Sequence, residues 1–194
     1  MTVTLTNLYA DRFVEIVREA ALRLKAECFL RKSRGGVDLR FRENDLRDRL
    51  RGIPDIVVEQ RLQNDDNSGN VDYHIMSHGR VVATCEVKGP VRKSFLDPSR
   101  FGRNWSKRFT EDLQKQAKRA ASMPDAEHYS MLLLPFTEET LNASHYTVVI
   151  ERARAQVPQA TILKLITSEV HVHTGVLTIV LFRVGLASTI VTGI

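Results

Sequence analysis

The chain has 194 residues, 43% hydrophobic and 26% charged, which is enough to enclose one well-buried core and short for two. Its net charge of +5 arises from 28 Lys and Arg against 23 Asp and Glu, an excess that matters only where it clusters. Cys28 and Cys85 lie far apart, offer no Cys/His spacing for zinc and are expected as reduced core thiols. The opening "MTVTLTNLYADRF" lacks the basic start and apolar block of a secretory signal, so a cytoplasmic protein is expected.

In chain order, Phe13, Val14, Val17, Ala20, Ala21 and Leu24 recur at helical spacing, with Asp11, Arg12, Glu15, Arg18 and Glu19 on the other side. This predicts an amphipathic helix from about Leu8 to Phe29. A basic loop, "RKSRGG", leads to a second, short helix in "RENDLRDRL" that stops before Gly52 and Pro54. "DIVVEQRL" alternates like a strand and "QNDDNSGN" is a polar, turn-rich loop. "VDYHIM", "SHGR" and "VVATCEVKG" form an antiparallel hairpin closed by a tight glycine turn. A helix is predicted from about Thr110 to Ala121, a strand in "YSMLLLPF" and a helix from Glu138 to Ala155. Two long strands, "ATILKLITSEVHV" and "VLTIVLFRV", close the chain. The last apolar stretch has the length of a membrane span, but Arg183 near its middle would cost about 2.5–3.5 kcal/mol there, so an interior strand and no membrane partner are expected. No internal repeat is present. The order helix, three strands, helix, strand and additions reads as α/β, a single domain with a mixed central β-sheet flanked by helices.

The charges inside "VVATCEVKG" ask for an explanation. Strand side chains alternate faces, so Glu86 and Lys88 share one face while Cys85 and Val87 take the other. If His78, Gly79 and Arg80 make a three-residue loop, Asp72 lies opposite Glu86 with Cβ atoms about 4.5–5.5 Å apart. A two-residue turn would shift the register and turn Asp72 away. Opposed carboxylates repel unless a cation lies between them or one is protonated. Mg²⁺ is held by one or two carboxylates with water and substrate phosphate completing its octahedron, a role that suits Asp72 and Glu86. Lys88 on the same face could then stabilise a phosphorane-like transition state or orient an attacking water.

"VDYHIM" followed by "CEVKG" resembles the PD-(D/E)XK nuclease superfamily, the restriction endonuclease-like fold. Asp72 matches the first acid of that pattern, Glu86, Val87 and Lys88 match its (D/E)-x-K triplet, and Glu43 is the candidate for an added helix carboxylate, with helix capping as its alternative role. The resemblance covers a core from about residue 43 to 136, with the N-terminal helix and the C-terminal helix and strands as additions. It implies a metal-dependent endodeoxyribonuclease using Mg²⁺, with Mn²⁺ as substitute. Pro54-Asp55 is literally a "PD", so Asp55 competes with Asp72 for the first acid, and the helix after the triplet lacks the Q-x-x-x-Y signature of the exonuclease-helicase branch.

The segment from Arg92 to Arg119 concentrates positive charge with interleaved aromatics, and Arg92, Lys93, Arg100, Arg103, Trp105, Lys107 and Arg108 are the expected nucleic-acid contacts. DNA is the expected partner, with RNA left open, and a homodimer through the apolar C-terminal strands would suit double-strand cleavage. His74 falls on the Asp72 face, either touching the site or packing as a sheet residue, and His171 with His173 reads as a solvated pair. The competing function is a non-catalytic nucleic-acid-binding or assembly subunit that keeps the nuclease fold.

Overall fold

The structure, a computed structural model, describes residues 8–23, 30–33, 36–39, 48, 50–54, 56–61, 70–89, 104–134, 143–172 and 175–186. Helix α1 (Leu8–Leu22) follows the predicted apolar stripe and buries Phe13, Val14, Val17, Ala20 and Ala21. The basic segment expected as a loop instead contributes to a small antiparallel ribbon of β1 (Leu30–Ser33) and β2 (Gly36–Leu39). Four-residue strands leave too short an alternation to register as a pattern. Of the short helix predicted next, only Asp48 and Leu50 fall within the described residues, both helical; Glu43 and Asp55 lie outside them.

The main sheet has six strands in the order β3-β4-β5-β6-β8-β7. It comprises β3 (Ile56–Arg61), β4 (Asn70–Ser77), β5 (Arg80–Lys88), β6 (Glu127–Leu134), β7 (Ala160–Val172) and β8 (Gly175–Leu186). Only β5 and β6 run parallel, joined across helix α2 (Asn104–Ser122); helix α3 (Ala143–Gln156) precedes the final antiparallel pair. Helix α1 covers one face with Tyr73, Cys85, Val87, Tyr129, Met131 and Leu181 beneath it, while α2 and α3 cover the other over Leu132, Leu134, Val180 and Phe182. Edge-to-face ring pairs anchor both layers, Phe13 on Tyr129 at 5.7 Å and Phe109 on Phe182 at 5.3 Å. This is an α/β domain with a mixed sheet between helical layers. Central strands β6 and β8, covered on both sides, read as apolar runs for that reason. No helix among the described residues is long and apolar enough to cross a membrane, and the described part of the C-terminal apolar stretch, up to Leu186, is interior strand β8, as expected. Of the two C-terminal strands, β8 is flanked by β6 and β7, while β7 forms an edge of the described sheet.

The β4–β5 hairpin reaches the anticipated pairing by another route. Its loop is two residues, not three: His78 and Gly79 both have positive φ, 50° and 73°, and Ser77 pairs with Arg80. A type I′ turn of that kind matches the strand twist. By itself it would put Asp72 on the wrong side of the pleat. A β-bulge then leaves Val82 unpaired, since Met76 faces Val81 but Ile75 faces Ala83, and the register beyond it pairs Tyr73 with Cys85. Carried one step past the last pair of the ladder, the same register turns Asp72 toward Glu86, on which its charge acts. At Gly79 an added Cβ meets nothing within 4 Å, so Gly79→Ala should cost about 1 kcal/mol through its φ alone. The readout is a lower urea midpoint at unchanged slope.

Candidate active site

The α2 face of the hairpin carries a band of polar groups inside an otherwise apolar layer. Thr84, Glu86 and Lys88 project there from β5, and the parallel register puts His128 beside Thr84 and Ser130 beside Glu86. Helix α2 meets them with Asp112, Gln116 and Arg119, spaced so that they share one side of the helix. Thr84 Oγ1 donates to Gln116 Oε1 at 2.9 Å, Gln116 Nε2 donates to the Tyr129 carbonyl at 2.6 Å, and His128 Nε2 donates to the Met123 carbonyl at 2.9 Å. These bonds fix how α2 lies on the sheet, and so where its charged residues point.

Asp72 Oδ2 accepts a 2.8 Å hydrogen bond from the Val87 backbone N–H. The carboxylate thus serves a strand N–H at the point where the β4–β5 ladder runs out. This holds it next to Glu86, whose side chain is only 3% exposed. Arg119, fully buried, donates from Nη1 to Glu86 Oε1. Lys88 Nζ lies 3.2 Å from Asp112 Oδ2, and Lys115 approaches the other Asp112 oxygen at 3.6 Å. Both Asp112 oxygens thus face an ammonium group.

The electrostatics follow from this burial. Desolvation first, then the Asp72 charge, and more weakly Asp112, push the Glu86 carboxyl up to about 8 against the pull of Arg119. Asp112 is also raised, by burial and by Asp72, against Lys88 and Lys115. On the opposite face the free thiol of Cys85 is driven up by its own burial, then by Asp72 and Glu86, consistent with an inert core thiol; Cys28 lies outside the described residues.

A raised carboxyl pKa has a definite sign for stability. Below about 4.5 Glu86 is protonated folded or unfolded and its contribution is fully present; as pH climbs to about 8 the unfolded chain releases the proton first, and stability is lost across that window. The loss approaches about 1.4 kcal/mol per pH unit for a single group. Urea titrations between pH 5 and 8 should show this decline in the natural chain, and Glu86→Gln should flatten it.

The residues expected from the sequence divide cleanly. Asp72, Glu86 and Lys88 are brought together. Lys107 and Arg108 are exposed on α2 about one turn before Asp112, with Lys107 4.0 Å from Glu111. Trp105 falls within α2 but its side chain is outside the described set, as are Arg92, Lys93, Arg100 and Arg103. His74 pairs with Thr84 on the same face but is buried, its pKa lowered by desolvation and its Nδ1 without a hydrogen-bond partner. His171 is exposed, while His173 lies outside the described residues. Asp112 and Arg119 were not anticipated; the signal was polar side chains at 112, 116 and 119 flanking the apolar positions Phe109, Leu113, Ala117 and Ala120. Among the described residues, no three His, Cys, Asp or Glu side chains form a group that could hold a metal ion. Comparison with protein-family models, curated proteins and solved structures finds no match for the chain.

Proposed function

We propose that the chain is a metal-dependent endonuclease of the PD-(D/E)XK kind, hydrolysing phosphodiester bonds in DNA. The observation that supports this reading is the bulged hairpin register, which when extended by one step turns Asp72 toward Glu86, with Lys88 on the Glu86 face. Two carboxylates are a sufficient protein share of a Mg²⁺ site, because that ion keeps waters and takes substrate oxygens for its remaining positions. The upward push that Asp72 exerts on Glu86 supports the same fit, since a cation between them would relieve it. When bound, Mg²⁺ or Mn²⁺ would supply Lewis-acid polarisation of the phosphoryl oxygen and a more acidic water.

Asp72 and Glu86 would hold the ion, and the hydrogen bond from Val87 keeps the Asp72 carboxylate at that end of β5. Lys88, held beside Asp112, would stabilise negative charge as it develops on the phosphate or orient the attacking water. Lys107 and Arg108 would meet the nucleic-acid backbone beside it, through contacts that weaken with salt. Glu43 remains the proposed extra carboxylate and Asp55 the rival first acid. A dimer through the β7 edge would bring two sites to a duplex.

A second reading is favoured by the internal pairing of Glu86 with Arg119 and Lys88 with Asp112, a closed set of charges such as a non-catalytic nucleic-acid-binding or assembly subunit could retain. Digestion of supercoiled, linear and branched DNA, and of RNA, with Mg²⁺, Mn²⁺ or chelator separates the two. The nuclease reading expects cleavage only with the cations; binding without cleavage under every condition supports the subunit. The elution size of the purified chain tests the dimer.

A further inference from the structure

We infer that Arg119 is a built-in counter-ion that takes the place of the divalent cation at Glu86, so that the ion is admitted only when the guanidinium gives way. This rests on the nuclease reading above and deepens it. The guanidinium is fully buried and in contact with Glu86 Oε1, one of the oxygens a metal would need. Three carboxylates, Asp72, Glu86 and Asp112, act on one another here, and Arg119 and Lys88 are the cations drawn among them, with Lys115 at the outer edge on Asp112. Removing Arg119 therefore takes away the positive charge that competes with a divalent ion for the Glu86 oxygen.

Arg119 belongs to the last turn of α2, where its carbonyl accepts from the Met123 N–H at 2.7 Å and from Ser122 Oγ at 3.2 Å. The backbone at this position is thus held by the helix end. Ser130, beside Glu86 in the β5–β6 register, carries a fully buried hydroxyl with no hydrogen-bond partner among the described residues. It offers a polar contact next to Glu86 for a water or for a displaced guanidinium. A phosphate arriving with the ion would give Arg119 a bidentate partner in exchange for Glu86.

The test measures Mn²⁺ binding to the full chain, by the electron paramagnetic resonance signal of the free ion, for the natural protein, Arg119→Lys, Arg119→Met and Glu86→Gln. Melting temperatures in Mg²⁺ and in chelator are recorded alongside. Arg119→Lys keeps the charge but loses the fork, and should bind Mn²⁺ several-fold more tightly than the natural chain. Arg119→Met should bind roughly tenfold more tightly or better, since a unit charge near the ion is gone. Its melting temperature should also rise more on adding Mg²⁺. Glu86→Gln should lose binding. If Arg119→Met does not fold even in Mg²⁺, Arg119→Lys decides. A natural chain that binds Mn²⁺ through Glu86, with Arg119 variants that bind no more tightly, overturns this inference alone. Absence of Mn²⁺ binding in every form overturns the metal reading beneath it.

Discussion

Arg119→Met should be among the most destabilising single substitutions in the protein in metal-free buffer above about pH 8, where Glu86 is charged in the natural chain, lowering its stability by about 3–5 kcal/mol. The guanidinium is fully buried against Glu86, and a carboxylate left alone at that depth can neither reach water nor find another cation as close. The deficit should be small below about pH 7, where Glu86 holds a proton with or without Arg119, and should grow as pH passes 8. In acid Glu86 escapes by taking a proton, which burial and Asp72 already favour; in alkali it must remain charged. Glu86→Gln in the same chain should restore most of the loss, so a double-mutant cycle from urea midpoints would show strong coupling. If Arg119→Met unfolds at the natural midpoint across this pH range, the pair does not hold α2 to the sheet.

Lys88→Ala is expected to lower the DNA cleavage rate by about 10²–10³-fold, the range seen when one group aimed at developing charge is removed. Lys88 is 17% exposed and lies 3.2 Å from Asp112, at the end of β5 that also presents Glu86. If the ammonium acts mainly on the transition state, kcat and kcat/KM should fall together while KM holds. The fold should tolerate this change better than loss of Arg119. Asp112 keeps Lys115 at 3.6 Å, and its raised pKa lets it take a proton. A rise in KM at unchanged kcat would instead make Lys88 a phosphate contact.

Much of this arrangement could be read from the chain because strands have a period of two. Glu86 and Lys88 inside an apolar run had to share a face, and Asp72 lay within reach of any hairpin closing near Gly79. The turn itself was misread, and the bulge at Val82 compensated for the error. Bulges carry no clear sequence signature, since Val81, Val82 and Ala83 are equally at home in a regular strand. A second bulge, at Leu165, flips β7 so that Ile162 packs under α3 while Val170 packs under α1; simple alternation along "ATILKLITSEV" could not have told those faces apart. Helix α2 begins at Asn104 rather than near Thr110, its first turn hidden within a basic stretch that resembled a loop. Arg119 and Asp112 escaped notice for a deeper reason. Which strand charge a helix residue meets is set by how the crossover docks, and here that is fixed by Gln116 bonding to Thr84 and to the Tyr129 carbonyl.

The most direct test is nicking of supercoiled plasmid by the natural chain and by Asp72→Asn, with Mg²⁺ and with chelator, beside a melting curve for each protein. Asparagine keeps an oxygen that can accept from the Val87 N–H but removes the charge facing Glu86. The account predicts Mg²⁺-dependent nicking by the natural chain, none in chelator, and none by Asp72→Asn despite a retained fold. Equal nicking by both proteins, or nicking that survives the chelator, would contradict it.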